Sequence, residues 1–161
     1  MMRGLKSFLT SQSGAILAEF AMLLPVMVLV FGVVIEGARL FWAYQATHAG
    51  VRDAARYVAR VSNRDICDTG GSLGVNGATL QGIVANAKDG TALFPSGISI
   101  LSVTPTYTCI DSGLRGGRTA IATVTARMEI TFPLAAIFSL ANTSYGTLTT
   151  SITDQARILG T

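Results

Sequence analysis

Charge is scarce in this chain. Asp, Glu, Lys and Arg make up 13% of its 161 residues, while half of the residues are hydrophobic. An ordinary soluble domain is about one-quarter charged. The deficit is concentrated near the N-terminus, which points to a membrane segment rather than to an unusually large core. The formal net charge is only +3 and the arginines are scattered. No dense Lys/Arg block offers a nucleic-acid footprint, so no nucleic-acid partner is expected.

Histidine and cysteine are also scarce. The single histidine, His48, has no neighbour in the sequence that completes a triad or a metal site. No GxSxG surrounds any serine. Asp65, Asp68 and Asp111 lie in turn-like stretches, and the spacing of the first two is not that of an EF-hand loop. The paired glycines of residues 62–78 do not follow a strand, so a phosphate-binding loop is unsupported. No enzyme, cofactor or metal is expected. The two cysteines, Cys67 and Cys109, are far from CxxC spacing, which argues against zinc or thioredoxin chemistry. In an exported domain a disulfide between them is the better reading, worth about 4 kcal/mol in the chain-entropy model. Two buried free thiols are the alternative.

One long apolar run is present. Residues 15–35 contain a single charge, Glu19, and two residues, Pro25 and Gly32, that weaken a helix. A helix of that length spans about 30 Å, the thickness of a hydrocarbon core. A buried soluble helix is the bland alternative, but no other segment supplies enough surface to cover it. A cleaved secretory signal fits poorly, because Glu36-Gly37-Ala38 puts an acid in the small-residue slot. A plain signal anchor leaves Gly14 and Glu19 unexplained. Cleavage before the run explains both. A cut after Gly14 removes a polar, basic stretch with Arg3 and Lys6, leaves Ala15 as the new N-terminus and makes Glu19 its fifth residue. A carboxylate in mid-membrane costs up to about 2.5–3.5 kcal/mol on insertion scales, less near the edge. It should have a partner, and the α-amino group of Ala15 on a neighbouring subunit is a natural one. The simpler reading has Glu19 reaching toward the headgroups.

This pattern resembles a type IV prepilin leader. GAILAEFAMLLP followed by EGARLFWAYQATHAGVRDAARYVAR resembles the TadE family (TadE/TadG-like proteins) of the tight-adherence, or Flp, pilus system. The matching elements are Gly14, Glu19-Phe20-Ala21, Pro25, Glu36-Gly37 and Ala54-Ala55-Arg56-Tyr57, within about residues 10–60. Ala18 departs from the valine expected before the acid. The resemblance implies a prepilin leader at 1–14, cut between Gly14 and Ala15 by a prepilin peptidase. It also implies assembly and register roles for Glu19, Phe20 and Pro25. A transmembrane helix is expected at 15–36, its extra-membrane continuation at 37–61 and an exported α+β domain at 62–161.

The residues beyond the span support that plan. Leu40, Tyr44, Thr47, Val51, Ala54, Val58 and Val61 recur at spacings of three and four, one face of a continuing helix. Arg52, Arg56 and Arg60 form a row on another face, read as solvated or as a contact for headgroups or a partner pilin. Asp53 is within reach of Arg56. A loop is expected over 62–78 and a short helix over Thr79–Ala87, with Leu80, Ile83 and Val84 as its apolar face. From Ile98 the period becomes two. A strand with a break at Pro105 is expected first, then turn-rich residues 111–117. Next comes a clean strand with Ala120, Ala122, Val124, Ala126, Met128, Ile130 and Phe132 inward. PLAAIFSLAN, starting at Pro133, reads as a helical turn that caps the sheet, touches the bilayer or simply joins the core. A last strand puts Leu148, Ile152, Ala156 and Ile158 inward. The fold class is α+β: a long N-terminal helix packed on an antiparallel sheet of three or four strands, pilin-like.

The expected function is structural: a minor pilin or pseudopilin needed for assembly of a tight-adherence pilus. The short positive N-terminal side favours a cytoplasmic start, but Arg39, Arg52 and Arg56 nearly balance it. The cysteine pair and the resemblance tip the domain outward. That gives a single-pass protein of the bacterial inner membrane with its domain in the periplasm, open to incorporation in the pilus. Its implied partners are other pilins and pseudopilins, the prepilin peptidase, the inner-membrane assembly platform and the lipid bilayer. The rival is an unprocessed single-pass anchor that displays a binding domain.

Overall fold

The computed structural model describes residues 13–111, 113, 117–135 and 146–160. Residues 1–12 of the expected leader, most of the expected turn 111–117, and the apolar segment after Ala135 lie outside them. The described elements are α1 (Ser13–Val61), α2 (Ile66–Thr69), α3 (Gly77–Ala85), β1 (Ile98–Asp111), β2 (Arg118–Thr131) and β3 (Thr147–Arg157), in that order. The chain divides between Ala38 and Arg39 into two compact units, and α1 contributes to both.

In the first unit α1 is apolar around its whole circumference. Ile16, Leu17, Phe20, Met22, Leu23 and most residues after them are exposed, as a helix made for an apolar solvent should be, while Gly32 and Glu36 are buried. Pro25 lies inside the helix. It lacks the N–H that would bond the Ala21 carbonyl, yet the helical assignment runs through it without interruption.

In the second unit the later part of α1 packs on a three-stranded antiparallel sheet of order β1-β2-β3. This is the α+β architecture the sequence predicts. β2 lies at the centre. Ala120, Ala122, Val124, Ala126, Met128 and Ile130 are buried, and the residues between them are not. The helix face against them is built of small and medium side chains: Ala43, Thr47, Val51, Ala54, Ala55 and Val58 are almost fully buried. Thr47 satisfies its buried hydroxyl by donating to the Ala43 carbonyl at 2.8 Å, and its oxygen lies 3.0 Å from Met128 Sδ. Burying one such valine contributes about 1.5–3 kcal/mol. The contiguous stripe is therefore the main adhesive between helix and sheet.

Three residues expected on inward faces are not covered. Tyr44 and Val61 are each 42% exposed and Leu148 is 41% exposed. The buried helical stripe is instead carried partly by Ala43, Ala55 and Ala59, whose weak hydrophobicity hides them in the periodic pattern.

The expected break at Pro105 does not occur. β1 runs from Ile98 to Asp111, with Pro105 opposite Val124. β1 is an edge strand, and its outer side faces α3: a Cβ added at Gly77 would lie 3.4 Å from the Val103 carbonyl. Two residues on, the Pro105 nitrogen also faces outward, where no ladder donor is needed. The irregularity falls earlier, between Ile100 and Ser102.

Over 62–78 the expected loop contains one helical turn, α2. The short helix expected at Thr79–Ala87 begins and ends two residues earlier, as α3. Asn76 caps it by accepting from the Ala78 N–H at 3.0 Å, a signal the apolar pattern alone does not carry. Cys67 and Cys109 form a disulfide that ties α2 to β1. The far end of α1 is closed by the C-terminal tail: the N–H groups of Leu159 and Gly160 both donate to the Ala59 carbonyl, at 3.0 and 3.4 Å.

Gly50 marks the closest approach of α1 to α3. A Cβ there would lie 2.9 Å from Val84 Cα and 3.1 Å from its carbonyl oxygen. Alanine would regain about 1 kcal/mol of helix propensity, but backbone that cannot move aside costs about 1–3 kcal/mol. Gly50→Ala should therefore lower the thermal midpoint of the full-length protein in detergent, followed by near-UV circular dichroism. An unchanged or raised midpoint would contradict this packing.

Candidate functional site

The expected assembly residues all lie on the first stretch of α1. Gly14, Ala15, Glu19, Phe20 and Pro25 are exposed helical residues. Glu19 is one turn beyond Ala15, on the same side of the helix. It makes no hydrogen bond or ion pair among the described residues. Its neighbours Ile16, Leu17, Phe20, Leu23 and Met22 are apolar and uncovered, with between 55% and 78% of their surface exposed.

This stretch is the best-formed candidate for a membrane span. α1 is long and apolar enough to cross a bilayer, with a mean hydropathy of 2.5 in its most apolar window and only 6% of that window buried. The low burial separates it from the core helix of a soluble protein. One N-terminal apolar helix of this kind points to a single-pass anchor.

A second surface is the cleft between α1 and α3. It encloses about 730 Å³ and is floored by Trp42, Ala49, Gly50, Ile83 and Leu93. Trp42 meets Phe94 edge-on, with ring centroids 6.0 Å apart. At its rim Asp89 accepts from the Thr91 hydroxyl at 2.7 Å and the Thr91 N–H at 3.0 Å. These bonds, the hydroxyl's first, hold the Asp89 carboxyl below its ordinary range.

Most of α1 matches a known family model. Residues 14–56 match the family model of TadE-like proteins. The TadE-like segment thus begins at Gly14 and ends at Arg56, and it contains the expected assembly residues. It points to a structural, pilus-associated protein rather than an enzyme. No curated protein and no solved structure matches the chain significantly, so the sheet is characterised by its geometry.

Around the TadE-like segment the structure adds contacts that periodicity did not reveal. Arg52 pairs with Asp154 on β3 at 3.6 Å, and Arg56 with Asp53 at 4.0 Å. Only the second was legible, from its i,i+3 spacing. Both are surface pairs worth under about 1 kcal/mol. Asp154 was detectable as an acid on the inward parity of an otherwise apolar-patterned strand. Arg39 donates to the Ser96 carbonyl at 3.2 Å. Arg118 donates to the Cys67 carbonyl at 2.9 Å, beside the disulfide. His48 is half-buried, and no group of three His, Cys, Asp or Glu side chains gathers among the described residues.

Proposed function

We propose that this protein is a minor pilin or pseudopilin of a tight-adherence pilus, made as a precursor and matured by a prepilin peptidase. The TadE-like match over 14–56 carries this reading. The peptidase cuts between Gly14 and Ala15. The mature protein waits in the bacterial inner membrane with residues 37–161 on the periplasmic side. It then enters or primes the fibre through its N-terminal helix.

Glu19 supplies the register. Removing residues 1–14 creates an α-amino group on Ala15, near the depth at which Glu19 stands exposed in an apolar collar. Pairing acid to amine on adjacent subunits satisfies both charges in a medium of low dielectric. It also fixes the axial offset between helices. Phe20 and Pro25 shape the helix surface that packs in the assembly. The disulfide suits a domain that matures in an oxidising compartment.

Intact-mass measurement of the protein from piliated cells tests the cut. The mature chain should begin at Ala15 and weigh two hydrogens less than the reduced form. An intact Met1 in peptidase-competent cells would favour an unprocessed membrane anchor instead. The register role is tested separately. Glu19→Gln should insert into the membrane at the normal level but reduce surface pili at least tenfold by electron microscopy, and normal piliation would remove that role.

A further inference from the structure

The second unit begins at Arg39, about one turn of helix after Ile35, the last residue of the apolar run. One end of that unit gathers around Arg39. The Arg39 guanidinium donates to the Ser96 carbonyl at 3.2 Å, and a Cβ added at Gly97 would lie 3.4 Å from it. The Gly97 carbonyl accepts from the Thr131 N–H at 2.7 Å, and the Phe132 N–H donates to the Gly146 carbonyl at 3.0 Å. The start of this part of α1, the approach to β1, the exit of β2 and the entry to β3 therefore meet there.

This end is poor in charge and rich in aromatic rings. Residues 92–100, 130–135 and 146–150 contain no ionisable side chain, and residues 37–51 contain only Arg39 and His48. Lys88 and Asp89, opposite in sign, lie in the turn between α3 and the approach to β1. Charge collects at the other end of the unit. Arg56, Arg60, Arg64, Asp65 and Asp68 follow along α1 and just past it, and Asp111, Arg118 and Arg157 stand at the far ends of the three strands. Phe41, Trp42, Tyr44, Phe94 and Phe132 belong to the Arg39 end. Phe41 is 66% exposed and Trp42 45% exposed, a contiguous pair of open rings. Aromatic side chains of this kind form the belts of membrane proteins, where the ring meets apolar surface and a polar tip stays wet.

We propose that the Arg39 end of the second unit is seated in the headgroup layer of the bilayer, with Phe41, Trp42 and the approach to β1 in contact with lipid. The covalent link to the apolar run decides the occupant. Phe41 and Trp42 follow Glu36 by five and six residues, about 8–9 Å along a helix. The headgroup layer adds about 5–8 Å to each side of the hydrocarbon core, and helical side chains lean back toward the N-terminus. The two rings thus fall at headgroup depth once the apolar run spans. Ser96 touches Arg39, so it lies within one side chain's length of that layer at any tilt of the unit. Lipid faces this end in every anchored copy, and the end carries a cation and no acid toward anionic headgroups. Seating fixes how deep the span rides, and with it the depth of Glu19, before any protein partner arrives. The inference rests on the single-pass anchor and not on cleavage or on a place in a pilus.

Trp42 is the only tryptophan, so the native chain reports its own position. The test uses full-length protein in vesicles of phosphatidylethanolamine and phosphatidylglycerol. Emission is quenched in turn by nitroxide on lipid headgroups, by nitroxide deep in the acyl chains and by aqueous acrylamide. The headgroup label should quench Trp42 at least about threefold more than the deep label does, with weak quenching by acrylamide. Two further probes are placed in a Trp42→Phe background. Ser96→Trp keeps the backbone carbonyl that binds Arg39, and Tyr57→Trp lies about 22 Å farther along the helix from position 42. Position 96 should follow the lipid pattern of Trp42, and position 57 should be quenched by acrylamide alone. Native Trp42 open to acrylamide and to neither lipid label overturns the proposal without any variant. So does a position 96 that behaves like position 57 in a chain that retains the Cys67–Cys109 bond. Trp42 or position 96 shielded from all three quenchers marks a covering protein segment and overturns it as well. Protein that floats with the vesicles yet gives these results removes the seating alone, whereas protein that does not float removes the anchor with it.

Discussion

The face of α1 formed by Ala43, Thr47, Val51, Ala54, Ala55 and Val58, pressed against the even-numbered residues of β2, is the contact on which the rest of the second unit depends. The side chains there are almost fully buried, and their packing supplies the dispersion contacts and apolar burial that join helix to sheet. The same contact divides the helix by solvent. Before Ala38 the helix is exposed on nearly every side, Gly32 and Glu36 being the buried residues there. After Arg39 the circumference splits into a buried stripe and a face bearing Arg52, Asp53, Arg56 and Arg60. One continuous helix thus carries two surface patterns, and the change falls where the compact units divide.

The second unit is a sheet finished on one side. α3, the loop before it and the disulfide close the β1 edge, and Pro105 is tolerated because that edge needs no donor at its position. At the opposite edge no further strand follows β3 among the described residues. The ion pair between Arg52 and Asp154 and the tail bonds to Ala59 hold β3 against the helix at its far end. Toward Thr147 the covering thins, and Tyr44 and Leu148 are left half open.

Much of this was legible in the sequence. The strict alternation of β2 identified its buried face residue by residue, because a central strand under a helix has one wet side and one dry side. The apolar run identified a helix long and apolar enough to cross a bilayer, and the motif from Gly14 to Arg56 carried the TadE-like match. What failed did so for physical reasons. Alanines at 43, 55 and 59 are nearly silent in a hydrophobic pattern, yet they form much of the helix contact. Pro105 reads as a break unless the strand is known to lie at an edge. Tyr44 and Leu148 follow the inward period, but period cannot tell whether a neighbouring strand exists to cover them. Arg52 and Asp154 are far apart in sequence, and nothing local announces their meeting.

The central claim is that α1 changes solvent between its two parts. Spin labels placed singly along residues 16–61 of the full-length protein in lipid vesicles test it directly, through accessibility to oxygen and to a water-soluble nickel chelate. The account predicts high oxygen and low nickel accessibility without helical period up to about residue 36. Past residue 39 it predicts a 3.6-residue period, with labels at 47, 51, 54 and 58 shielded from both reagents. Nickel accessibility throughout the early stretch, or an unbroken period along the whole helix, would contradict it.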